Sequence, residues 1–422
     1  MACYCSNRGV AYMTERAKMQ RVAAVSRAFT PGTPVGRLDM LAGRTNQLTD
    51  IVSAVSMTGQ HVGLYGERGV GKTSLANVLS EVFDSVLVRD KFQSARINCT
   101  TDDTFTTIWE NVFAELGAEG DWMEAETLTP EIVRRALQDL DTEPLIVLDE
   151  LDRLTDDDAL TGLADTIKTL SDHATEATIV LVGVASSIGD LIGEHASISR
   201  ALVQIEMPRM SRGELADIIT KGCEEAEIAA LQPAVDEIVA LSEGLPHYTH
   251  LLALHAGLRA VNDDRAVITL EDVRRSIAGA VERHTILDAY QKAIRSARKD
   301  ALFAQVLLAC ALAPKNPLGF FTSGSIREPL EVVADRRLDI PAFSNHLSQF
   351  LEPERACVLR REGTSRRYFY RFSDPILQPY VILKGLADGL ITDEQLEQLR
   401  EVEIDPELTP GDFETIETQR LF

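Results

Sequence analysis

Gly66-Glu67-Arg68-Gly69-Val70-Gly71-Lys72-Thr73-Ser74 fits G-x-x-x-x-G-K-[ST] at every fixed position. Immediately before it, His61-Val62-Gly63-Leu64-Tyr65 reads as a short buried strand. After it, Leu75, Ala76, Val78, Leu79, Val82 and Phe83 recur at helical spacing. The order strand, glycine loop, helix is the one a phosphate cradle requires. The glycines let successive backbone N–H groups turn toward one anion, and the helix N-terminus adds its partial positive charge. Lys72 then reaches the β- and γ-phosphates, and the Thr73 hydroxyl serves Mg²⁺. The ligand these nine residues imply is ATP or ADP with Mg²⁺.

Working outward, Leu48, Ile51, Val52 and Val55 form one helical stripe leading into the first strand. Downstream, residues 94–99 read as a second strand, and Thr129-Pro130-Glu131 opens a helix with a capping residue followed by proline. Leu145-Ile146-Val147-Leu148-Asp149-Glu150 is four apolar residues ending in two carboxylates. Parallel strands buried on both faces look like this, and their first exposed side chains appear at the C-terminal edge, where ligands sit in open α/β sheets. Asp149 is therefore placed to hold Mg²⁺, directly or through water, and Glu150 to orient and deprotonate the attacking water. An acidic cap on the following loop is the alternative. Residues 178–184 and 203–207 read as further strands. Alternating strands and helices predict an α/β, doubly wound parallel sheet over residues 29–208. Ser211-Arg212-Gly213-Glu214 is a capping box, and helical periodicity alone follows to about Val281.

The 422 residues are 45% hydrophobic and 25% charged, ordinary for a soluble globular chain of two or three domains. A net charge of −23 opposes a nucleic-acid coat over the whole surface, so any such site must be local. The six cysteines, of which only Cys3 and Cys5 lie close together, read as reduced thiols in a cytoplasm rather than a zinc site. The basic N-terminus lacks the apolar core of an export signal, and the longest apolar run, near residues 301–314, is too short to span a bilayer. No membrane role is expected. Residues 1–28 are expected to form an N-terminal arm.

Gly43-Arg44, the loop Gly66 to Ser74, Val147 to Asp152 and Gly183-Val184-Ala185-Ser186-Ser187, in that order and followed by a helical lid and a C-terminal domain, resemble an AAA+ ATPase. Within that class the chain is similar to the origin-recognition and replication-initiator group, with a lid like that of STAND signalling ATPases. The resemblance covers residues 29–385 and implies an ATPase core at 29–208 and a helical lid at 209–290. It also implies that Ser186 stands at the polar sensor position ending the fourth strand, where asparagine is common. Arg200 falls where the family carries an arginine finger that reaches a neighbouring subunit, which implies a homo-oligomer; a surface salt bridge is its other reading. Gly244-Leu245-Pro246-His247 occupies the place of a second sensor arginine, and no arginine is there. STAND proteins carry Gly-x-Pro instead, which implies Pro246 as a base contact and His247 as a phosphate sensor, against a solvent-facing histidine at a helix start. The segment 29–35, ending in Val35, together with Arg44, resembles the strip that covers the adenine; a simple linker is the alternative.

Between Leu302 and Phe372 three helical patterns are followed by two β-like runs, residues 357–360 and 368–372, around a turn read at Glu362-Gly363-Thr364-Ser365. This looks like a winged helix-turn-helix over 296–385. Arg360, Arg361, Arg366 and Arg367 cluster at the hairpin in an otherwise acidic chain and are the candidate contacts for double-stranded DNA, with a protein-interaction wing as the rival. Residues 386–422 read as an acidic tail that solvates the surface or competes with DNA for the arginines. Together these readings describe a slow, Mg²⁺-dependent ATPase acting as a switch over assembly and DNA or partner binding. The alternatives are a nucleotide-gated interaction or signalling protein with negligible turnover, and a plain DNA-binding transcription regulator.

Overall fold

A computed structural model describes residues 5–83, 92–185, 188–192, 198, 200–282, 286–296, 302–316, 319–364 and 367–400. Two compact units emerge, one formed by residues 1–230 and 244–250, the other by residues 231–243 and 251–422.

The first unit runs α1 (Cys5–Ala28), α2 (Thr45–Val55), β1 (His61–Gly66), α3 (Lys72–Val82), β2 (Phe92–Asn98), α4 (Phe105–Leu116), α5 (Pro130–Gln138), β3 (Glu143–Asp149), α6 (Asp157–Asp172), β4 (Thr178–Val184), α7 (Gly189–Ile192), β5 (Leu202–Glu206), α8 (Arg212–Glu225) and the short β6 (Ala229–Ala230). Five strands pair in parallel in the order β2-β3-β4-β1-β5. Parallel neighbours need a crossover between them, which the intervening helices supply. Leu145 to Leu148 and Ile179 to Val182 are buried without a break, as strands covered on both faces must be. On one face Ile146, Leu148, Ile179 and Leu181 meet Trp109, Phe113, Leu137, Leu163 and Ile167 in a continuous core. Parallel pairing also puts the C-terminal ends of β1 and β3 on the same sheet edge, separated by β4.

Thr129 caps α5 by accepting the Ile132 N–H, with Pro130 in the first turn as its sequence suggests. Ser211 and Glu214 form the expected capping box at α8. Residues before Phe29 differ from an arm: α1 is helical, and Val25, Ala28 and Phe29 are buried, the Phe29 ring lying edge-on to His250. Two apolar residues and one ring at its end are enough to hold it, and they leave little periodic signal among its basic residues.

The second unit contains α9 (Gln232–Leu241), α10 (Pro246–Asn262, whose first turn belongs to the first unit), β7 (Val267–Ile268), α11 (Leu270–Glu282), α12 (Leu287–Ile294), α13 (Phe303–Leu312), β8 (Phe321–Thr322), α14 (Arg327–Ala334), α15 (Ile340–Gln349), β9 (Leu359–Thr364), β10 (Arg367–Phe372), α16 (Leu377–Ala387) and α17 (Asp393–Arg400). The hairpin β9–β10 is antiparallel, and β8 adds a third strand beyond β10. The strands run further than the expected turn at 362–365: Glu362 pairs with Phe369 and Thr364 with Arg367. Gly363, at φ +95° and opposite Tyr368, sits inside the ladder rather than at the bend. The start of the expected solvated tail is also structured, because Leu396 and Leu399 are buried on one face of α17 and Asp393 pairs with Arg274 at 3.4 Å. Two leucines three apart are a weak stripe amid so many carboxylates.

Candidate nucleotide site

β1 ends at Gly66, whose φ of +149° brings its backbone close to the chain leaving β5. A Cβ there would stand 2.4 Å from the Met207 carbonyl oxygen. Gly69 and Gly71 follow at φ +87° and +99°, so the loop turns its amides inward before α3 starts at Lys72. Val70 is fully buried and anchors the loop, whereas Arg68 is exposed and Glu67 half-buried. Lys72 is only 7% exposed. Its Nζ donates to the carbonyls of Gly66, 2.9 Å, and Glu67, 2.8 Å, so the ammonium is stored inside the loop it serves. Burial pushes its pKa down to about 8 against the opposing pull of Asp152, Asp149 and Glu67.

Thr73 and Ser74 lie half-buried in the first turn of α3. The Ser74 hydroxyl accepts the Val35 N–H at 3.1 Å, and the Asn77 amide donates to the Val35 carbonyl at 3.3 Å, so the segment predicted to cover the base is fastened to α3 on both backbone groups. Arg44 does something different from a base contact. At 2% exposure, its Nη2 donates to the carbonyls of Val70, 2.7 Å, and Pro208, 2.8 Å, cross-bracing the phosphate loop to the end of β5. Its own N–H donates to Glu214 Oε1 at 3.1 Å.

Asp149, 2% exposed at the end of β3, keeps Oδ1 on the Glu150 N–H, 2.8 Å, and Oδ2 on Arg96 Nη2, 2.7 Å. Glu150 stands at φ +56°, exposed, with its carboxylate paired to Arg153 at 2.7 Å. Asp152 turns back to accept the Val184 N–H at 2.7 Å and fixes the tip of β4. Pro246 lies against the loop, its Cγ 3.8 Å from where a Gly71 Cβ would sit. His247 is half-buried, not solvent-facing: its Nδ1–H donates to the Pro31 carbonyl at 2.7 Å, and burial lowers its pKa. Arg200 is exposed in the turn before β5, where its carbonyl accepts from Gln60. Ser186 and Arg366 lie outside the described residues.

Among the described residues no group of three or more His, Cys, Asp or Glu is placed to hold an ion. A divalent ion here would rely on Asp149, the Thr73 hydroxyl and the phosphate oxygens of its ligand. Few protein oxygens and a polyphosphate is the donor set that suits Mg²⁺.

Three contributors escaped the sequence reading. Arg96, the cation of β2, meets Asp149 and Asn77; Arg209 donates to Glu67 Oε2 at 2.8 Å; and Asp152 holds β4. Arg96 had one visible sign, a lone charge between the apolar Ala95 and Ile97 at the ligand edge of a strand.

In the second unit Arg360, Arg361 and Arg367 are exposed on the hairpin. The Arg361 guanidinium lies over Tyr368, 4.3 Å from the ring centroid, and that of Arg367 over Phe369, 5.4 Å. On α15, Asn345 and Ser348 are exposed while His346 turns inward against Phe303, 4.6 Å between centroids.

The AAA domain family matches residues 55–191. No curated protein matches the chain in sequence. Among solved structures, the ORC2 protein of Aeropyrum pernix, in its ADPNP-ADP complexes, superposes with a TM-score of 0.52 at 13% identity over 89% of this chain and 98% of its own. The Walker-type ATPase paby2304 of Pyrococcus abyssi aligns at 0.49 with 16% identity, over 84% and 99%. The Drosophila ORC bound to DNA aligns at 0.48 with 14% identity, over 86% and 92%. Residues 55–191 thus carry the match to the AAA domain family. The fold of the chain is that of the origin-recognition group, with a five-stranded parallel sheet at the centre of its first unit.

Proposed function

We propose that the chain binds and slowly hydrolyses ATP with Mg²⁺ and uses the bound state to control its assembly and its contact with DNA or a protein partner. The observation that carries this reading is the buried Lys72 ammonium inside a loop of left-handed glycines, on the same sheet edge as Asp149. Triphosphate oxygens would replace the Gly66 and Glu67 carbonyls on Nζ, exchanging neutral acceptors for charged ones. Thr73 and Asp149 would hold the ion, which when bound neutralises charge building on the phosphoryl oxygens. Glu150 would orient the attacking water and take its proton, while Arg200 of a neighbouring copy would approach the γ-phosphate. Lys72 stabilises the same charge from within the loop.

Glu150→Gln should keep ATP binding and abolish turnover; unchanged turnover refutes the assignment. A second reading, a nucleotide-gated interaction protein with negligible hydrolysis, draws support from two contacts. Glu150 must first give up Arg153, and the lid start presents Pro246 and His247 in place of an arginine. Single-turnover rates with and without DNA, together with mass measurements in ATP and ADP, separate the two. We further propose that residues 296–385 act as a winged helix-turn-helix whose hairpin arginines meet phosphates. If all four do, the logarithmic salt slope of DNA binding should be about −3.6. No described helix is long and apolar enough to cross a membrane, and we place the protein in the cytoplasm.

A further inference from the structure

Asp149, expected to face a cation, already has one. Arg96 reaches across from β2 to Oδ2 at 2.7 Å, its second amino group meets the Asn77 side chain, and its Nε finds no protein partner. Register makes the pair unavoidable. Asn98 of β2 stands opposite Asp149 of β3, and the Cys99 N–H donates to the Asp149 carbonyl at 2.8 Å. Arg96, two residues back, projects from the same side of the strand as Asn98, toward the carboxylate.

The pair has two effects. It fixes the carboxylate rotamer, because Oδ2 is held by Arg96 while Oδ1 is held by the Glu150 N–H. It also screens a charge that would otherwise lie buried and bare beside an incoming triphosphate. A buried carboxylate with less cationic partnership repels phosphate more strongly, and binding then leans more on a divalent ion. With Arg96 present, part of that neutralisation is supplied by the chain itself.

We propose that Arg96 is a positioning residue that acts through Asp149 and sets how strongly nucleotide binding depends on Mg²⁺. The inference rests on the phosphate-cradle reading above and adds to it the residue that tunes the acidic edge. Through Asn77, whose amide also holds the Val35 carbonyl, the same guanidinium is tied to the segment over α3.

The test compares ATP affinity of the full chain in excess magnesium with that in excess EDTA, by calorimetry. Arg96→Ala should raise the ratio of the two dissociation constants by about 10-fold, within the usual range of coupling between neighbouring sites. The loss should fall mainly on the EDTA arm. Arg96→Lys, which keeps the charge, should bring the ratio back toward wild type. Should Arg96→Ala fail to fold, Arg96→Gln carries the same expectation with most of the side-chain volume retained. In an Asp149→Asn background the Arg96 substitution should no longer move the ratio; an equal rise there would mean that Arg96 does not act through Asp149, and would overturn the proposal. So would ATP binding with an unchanged ratio in folded Arg96→Ala or Arg96→Gln. Failure of the wild-type chain to bind ATP in either condition would refute the cradle itself, a distinct result.

Discussion

At the sheet edge of the first unit Lys72 and Arg44 are buried, Arg96 is half-buried, and all three are bound to oxygen. Lys72 sits on two carbonyls, Arg44 on two more, and Arg96 on a carboxylate. On the hairpin of the second unit Arg361 and Arg367 are exposed and lie over aromatic faces. The difference is one of preorganisation. A buried cation on weak neutral acceptors gains sharply when a phosphate replaces them, whereas a wet guanidinium on a ring gives up hydration for whatever it meets. The first arrangement favours one ligand in one geometry. The second suits a polyanion of any sequence.

The contrast breaks most visibly at Lys72. Truncating a buried charge partner leaves the other charge unpaired, so Lys72→Ala should weaken ATP binding by about 100-fold in calorimetry; a change of only a few-fold would show that the loop does not bind as its geometry suggests. Next in size is Gly66→Ala. A methyl group driven against the Met207 carbonyl, at a φ that L residues rarely adopt, should lower stability by about 2 kcal/mol in thermal or urea unfolding.

A third test sharpens the comparison through pH. Burial depresses the free-state pKa of Lys72 to about 8, and phosphate binding favours the charged form. Below pH 8 the lysine is already protonated and affinity should be level; above it the loop must take up a proton, so affinity should fall by up to about 10-fold per pH unit. Calorimetry in buffers of different ionisation enthalpy should then show close to one proton taken up at pH 9. DNA binding through the hairpin arginines, whose guanidinium charge is permanent, should show no comparable step. The smallest effect belongs to Arg361→Ala. Losing an exposed cation–π contact should cost about 0.5–1 kcal/mol of stability, and if the arginine meets a phosphate the salt slope of DNA binding should shrink by about 0.9. An unchanged slope would assign the hairpin to protein contact.

Legibility followed locality. The phosphate loop could be read because its chemistry lies in nine consecutive residues whose glycines set the backbone. β3 could be read because four apolar residues and two acids announce a buried strand reaching a ligand edge. The Arg96 pair could not, since it joins residues 53 apart in sequence through the register of β2 against β3. The hairpin's arginines were visible as a cluster, but the strand pairing runs as far as Thr364 and puts Gly363 in the ladder. α1 and α17 gave too little apolar periodicity to stand out among their charges.

What the residues alone determined is the glycine-rich bend after β1, the acidic end of its companion strand and the alternation that builds a parallel sheet, because each depends on backbone conformation and side-chain period within a short stretch. Only tertiary structure decided that Arg44 braces the loop from outside, that Lys72 waits on its own carbonyls, that His247 is tied to Pro31 and that Asp149 already holds a cation. Those are choices among oxygen partners of similar chemistry. Which partner lies within reach is set by how distant segments are brought together, and a linear pattern carries no distances.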